Sequence, residues 1–174
     1  MEQEAARTGA AGRDRGEDGG EVRRGVRADY RPDAGEAVSI LAPEVAEFLE
    51  GAHVAALATV RPDGRPHVVP VWYEYDGKEF TISTFRGTQK LRNLQAKEKA
   101  ALSIFTTELP YRQVTVEGTA RAGSLIDNVW RERVAARYLG KTAGRAYVSD
   151  TADMDHVAIH VRPLTWHTEG FGLE

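Results

Sequence analysis

Three short β-rich runs separated by tight-turn signals fill the middle of the chain, and they constrain the fold more than any other feature. Residues 53–60 are apolar and bounded by turn formers, as in a buried strand. Arg61-Pro62-Asp63-Gly64 follows; proline fixes φ and glycine permits positive φ, so the chain turns. Residues 66–75 are rich in β-branched and aromatic side chains and read as a second strand. Asp76-Gly77 is a hairpin signal, and residues 78–84 form a third strand. Strands joined this way are antiparallel neighbours.

The rest extends the pattern. Residues 43–50 place proline in a first turn with Val45, Phe48 and Leu49 on one face, predicting a short helix closed by Gly51. Residues 88–97 carry Leu91 and Leu94 behind Thr88, a predicted N-cap. Strands are expected over 99–105, 112–122 and 156–166, and a longer helix over 124–139 with a stripe of Leu125, Ile126, Val129, Trp130, Val134 and Tyr138. Six strands and two or three helices predict a mainly β, α+β architecture: a six-stranded antiparallel barrel with helices outside. Residues 1–36 differ, with 7 Arg, 9 Asp or Glu and few large apolar groups, and are expected to be a disordered tail ahead of one domain over 37–174.

Composition removes several chemistries. With no cysteine among 174 residues, disulfides, thiolate metal sites and cysteine nucleophiles are excluded, which fits a reducing cytoplasm. Lys plus Arg total 23 against 26 Asp plus Glu, so nothing draws the chain to nucleic acid or anionic membrane. No apolar run is long enough to span a bilayer. Neither common nucleotide-binding glycine motif and no serine-hydrolase elbow is present. His156 and His160, four residues apart on a predicted strand, would stand ~13 Å from each other, too far for one metal ion; they read as partly solvated strand histidines.

One segment suggests a ligand. Ser83 and Thr84 end a strand, a glycine link follows, and a helix opens at Thr88 with Gln89, Lys90 and Arg92 in its first turns. Hydroxyls, free helix N–H groups and basic side chains suit an anion. The same residues also describe an ordinary helix cap with a solvated basic face. Pro70, Val71 and Trp72, on the preceding hairpin, either pack in the core or form a flat apolar wall for a ring system.

In order, Gly64-Arg-Pro-His-Val-Val-Pro-Val-Trp72, Asp76-Gly77, Phe80-Thr-Ile-Ser-Thr84 and Thr88-Gln-Lys-Leu-Arg-Asn-Leu94 resemble the pyridoxamine 5′-phosphate oxidase-like family of FMN-binding split β-barrels. The similarity runs from about Val45 to Trp166. It implies a homodimer with cofactor sites at the subunit interface, and a cofactor phosphate held by Ser83, Thr84, Gln89 and Lys90. The oxidases carry an Arg and a Lys where this chain has Val68 and Tyr73, and Gln89 stands where they are basic. The Lys90-Leu-Arg-Asn-Leu94 form resembles instead the branch that uses the deazaflavin coenzyme F420. By that likeness Lys90 meets the cofactor phosphate, Thr88 and Arg92 assist, and Pro70, Val71 and Trp72 lie against the ring.

The expected activity is hydride transfer from reduced F420 to a conjugated small molecule, with a proton from water or from Tyr73, Tyr111 or Tyr138, and with loop residues 106–112 and 141–154 shaping the substrate pocket. Alternatives are an FMN-dependent enzyme of the same fold and a non-catalytic carrier of a flavin, deazaflavin or tetrapyrrole.

Overall fold

A computed structural model describes residues 41–172. The tail expected over residues 1–36 lies outside the described residues. Four helices and seven strands alternate in the order α1 (Pro43–Glu50), β1 (Ala55–Val60), β2 (Pro66–Val71), β3 (Glu74–Tyr75), β4 (Phe80–Phe85), α2 (Gln89–Ala96), β5 (Lys99–Phe105), β6 (Gln113–Leu125), α3 (Asn128–Leu139), α4 (Lys141–Asp150) and β7 (His156–Glu169).

The strands form one antiparallel sheet in the order β2-β1-β5-β6-β7-β4-β3. Its edges, β2 and β3, do not pair with each other, yet Val71 of β2 and Thr84 of β4 line one cavity. The sheet is therefore bent round on itself and left open between these ends, as a split barrel is. The turn glycines Gly64 and Gly77 adopt φ of 89° and 91°, as the hairpin signals require.

The count of seven corrects the expected six. The single strand expected over 66–75 breaks at Trp72 and Tyr73, because α3 takes over the backbone there. Tyr73 N–H donates to the Tyr138 hydroxyl at 3.3 Å, and the Arg137 guanidinium donates to the Tyr73 carbonyl. Those groups then need no strand partner. Pro70 is tolerated because β2 is an edge strand.

Inside the bend lies a continuous core that includes Leu57, Tyr73, Ile82, Leu102, Val116, Ile159 and Val161, all fully buried. Each such aliphatic side chain contributes roughly 1.5–3 kcal/mol relative to exposure. The first turn of α3 departs from the expected stripe. Asp127 caps the helix by accepting from Trp130 N–H at 2.7 Å, and the buried face is Arg131, Val134 and Ala135. Val129 is 75% exposed, and Leu125 belongs to the end of β6. Residues 141–150, expected as loop, are α4, packed on α3 through Gly144; a Cβ there would stand 2.7 Å from Ala136 N. No helix among the described residues is long and apolar enough to cross a membrane.

Candidate functional site

β4 delivers Ser83 and Thr84 to the start of α2. Thr88 holds the N-cap position with extended dihedrals, but its side chain does not cap the helix; its Oγ1 lies 3.3 Å from Thr84 Oγ1. The first N–H groups of α2 therefore lack a side-chain acceptor, and they point where an anion is favoured. Lys90, in the first turn of α2, is half-buried, has no carboxylate within ion-pair distance among the described residues, and lines the cavity beside Ser83 and Thr84. Burial lowers its pKa, the mark of a cation whose hydration has not been replaced.

The helix is anchored by Asn93, fully buried, which donates to Thr59 Oγ1 on β1 at 2.9 Å and accepts from Gln89 Nε2 at 2.7 Å. Arg92 turns to its own loop, donating to the Gly87 carbonyl and, at 2.9 Å, to Gln89 Oε1. Of the nine expected cofactor residues, Pro70, Val71, Trp72, Ser83, Thr84 and Lys90 share one cavity. Thr88 touches it through Thr84, whereas Gln89 and Arg92 bond to each other outside its lining.

The cavity encloses about 400 Å³. Pro70, Val71 and Trp72 make an apolar wall, and α3 and α4 face it with Trp130, Arg131, Val134, Ala135 and Tyr147. Trp72 is fixed by stacking on Tyr138, centroids 5.0 Å apart and planes 9° from parallel. The tyrosines expected to donate a proton do not reach this space. Tyr73 is buried in the core against Phe80, and burial pushes its phenol pKa up; Tyr138 donates to the His53 carbonyl at 3.0 Å; Tyr111 is exposed on the 106–112 loop. Tyr147 is the tyrosine of the lining. Residues 106–110 border a separate cavity.

Two lining residues escaped the sequence reading. His156, expected to be partly solvated, is 6% exposed, because the first four residues of β7 are all buried and the period-2 alternation fails there. Its Nδ1 lies 3.1 Å from Ser83 Oγ, while Nε2 is buried beside the Thr151 backbone without a well-formed hydrogen bond among the described residues. Burial first, and then Arg131, lower its pKa, so the ring is neutral at pH 7. Arg131 is 4% exposed; Nη1 donates to Asn128 Oδ1 at 2.8 Å and Nη2 to Thr151 Oγ1. Neither burial is legible in a pattern, since charged helix positions and strand histidines are usually solvated. His160, by contrast, stands 2.9 Å from Glu79 Oε1. Among the described residues no cluster of three or more His, Asp or Glu could hold a metal ion.

The structure is thus an antiparallel split barrel in which a hydroxyl-and-lysine corner faces an apolar wall. The chain belongs to the pyridoxamine 5′-phosphate oxidase family, which matches it over residues 41–169. It is similar to a biliverdin reductase of Mycobacterium tuberculosis that depends on reduced coenzyme F420, with 33% identity over 91 residues, 51% of this chain and 64% of that protein. It is also similar to a pyridoxine/pyridoxamine 5′-phosphate oxidase of Rubrobacter xylanophilus, with 43% identity over 65 residues, 37% of this chain and 30% of that protein. The chain thus matches less than two thirds of the length of either relative. A solved structure of an F420 reductase superposes with a TM-score of 0.57 at 30% identity, covering 70% of this chain and 94% of that one.

Proposed function

We propose that this chain is an oxidoreductase that binds reduced coenzyme F420 in the cavity between β2, β4, α2 and α3 and serves hydride transfer to a conjugated small-molecule acceptor. The observation that carries the reading is Lys90: a half-buried ammonium with no carboxylate partner, at an uncapped helix start, beside two hydroxyls and facing an apolar wall. These residues fit a phosphate joined to a flat ring. Lys90, Ser83, Thr84 and the first N–H groups of α2 would hold the phosphate, with Thr88 orienting Thr84. Pro70, Val71 and Trp72 would seat the ring and keep water from it. When bound, the reduced deazaflavin supplies a hydride. The protein's share is then positioning in a dry site rather than acid–base work. The F420-dependent relative and the F420 reductase structure support this choice of cofactor.

The chain would act as a cytoplasmic homodimer: the edge strand β2 presents Val68, and Val54 at the cavity rim is also exposed. A second reading, an FMN-dependent enzyme, is favoured by the 43% identity to the pyridoxine/pyridoxamine phosphate oxidase. Mixing the protein with reduced F420 and a panel of enones, quinones and biliverdin tests the proposal. Acceptor-dependent return of the oxidised-cofactor absorbance is expected. Protein that purifies yellow with FMN and oxidises only reduced FMN contradicts it.

A further inference from the structure

We propose that Arg131 forms a second anion subsite in the same cavity, one that takes a carboxylate of the acceptor molecule; this rests on the reading that acceptor and cofactor share the cavity. Arg131 and Lys90 stand on different helices, α3 and α2, and both line the space, whereas no aspartate or glutamate among the described residues does.

The partners of Arg131 are all neutral. Asn128 Oδ1 accepts from Nη1, and the Thr151 hydroxyl and, at 3.5 Å, its carbonyl accept from Nη2. These contacts aim the guanidinium without neutralising it, and they leave at least two of its five N–H groups free. Arg131, only 4% exposed as a residue and with no carboxylate partner among the described residues, bears a desolvation cost that a bound anion relieves.

One fixed positive charge among Trp130, Val134 and Ala135 matches a monoanionic group on an apolar body. A planar carboxylate also fits the guanidinium fork. The cofactor's phosphodiester is served by Lys90 with the Ser83 and Thr84 hydroxyls and the α2 terminus. The acceptor class that follows is conjugated carboxylic acids.

Calorimetry on the F420-loaded protein tests the subsite with biliverdin as the free acid and as its dimethyl ester. The acid should bind at least tenfold more tightly than the ester. Arg131→Gln should bring the two affinities together while leaving F420 affinity within twofold, and Arg131→Lys should restore part of the preference. Inorganic phosphate should displace F420 and not the acid. The subsite is overturned if the free acid does not bind, if Arg131→Gln keeps the preference for it, if that variant loses F420 instead, or if phosphate displaces the acid. Failure of the cofactor reading is separate: it would appear as absent F420 binding in the unaltered protein.

Discussion

The Ser83 hydroxyl lies 3.1 Å from Nδ1 of His156, linking β4 to β7 at the floor of the cavity. Both strand-end hydroxyls are thereby engaged, Ser83 by a buried imidazole and Thr84 by Thr88. The same contact orients a ring whose other nitrogen makes no well-formed hydrogen bond among the described residues.

This buried ring makes stability depend on pH. The folded pKa of His156 lies below its ordinary value of 6.5, chiefly through burial and then through Arg131. The unfolded chain therefore binds the proton more readily. The stabilisation is complete above pH 6.5 and is lost as pH falls from there toward the folded pKa. Urea midpoints measured from pH 8 to 5 should decline below 6.5. His156→Gln should reduce the slope without abolishing it, because burial depresses His53 and His67 in the same direction.

Asn93 sets the position of α2 and hence of Lys90. Asn93→Ala removes the donor to the buried Thr59 hydroxyl and the acceptor for Gln89 Nε2, so a loss of about 1–3 kcal/mol is expected. Chemical denaturation of Asn93→Ala, Thr59→Val and the double variant should give less than the sum of the single effects.

Tyr138 joins α3 to the β2–β3 break. Tyr138→Phe keeps the ring that stacks on Trp72 but loses the bonds to the His53 carbonyl and Tyr73 N–H, at a cost of about 1–2 kcal/mol. Tyr138→Ala also removes the support behind Trp72. It should weaken ligand binding measurably in a fluorescence titration, whereas Tyr138→Phe should leave that binding nearly unchanged.

Gly118 occupies the first irregularity of the β6–β7 ladder, where a Cβ would collide with the Arg162 carbonyl oxygen. Backbone must move to admit it, so Gly118→Ala should lose about 1–3 kcal/mol, read as a lowered thermal midpoint.

What could be read in advance was what local chemistry dictates. The turns at Gly64 and Gly77, the β5 segment and the β4–α2 corner follow from turn formers, alternation and capping signals. α4 stayed hidden because Lys141-Thr-Ala-Gly-Arg-Ala-Tyr-Val-Ser-Asp150 has few large apolar residues and an internal glycine; Gly144 instead permits a close approach to α3. The exposure of Val129 and the burial of Arg131 are likewise set by what packs on α3, which Asp127 fixes by deciding where the helix begins. Lys90 and Ser83 share one cavity, a placement that hydroxyls and a lysine at a strand–helix junction signal locally. His156 and Arg131, distant in sequence, carry no such signal.

Titration of F420 into the unaltered protein and into Lys90→Ala, with FMN in parallel, measures the role of Lys90 most directly. Loss of one charge-assisted contact, about 1.5–3 kcal/mol, should weaken F420 binding by roughly 10- to 100-fold in the variant. FMN should bind less tightly than F420 in both proteins. Equal F420 affinity in the two proteins would contradict the assignment of Lys90 as the phosphate contact.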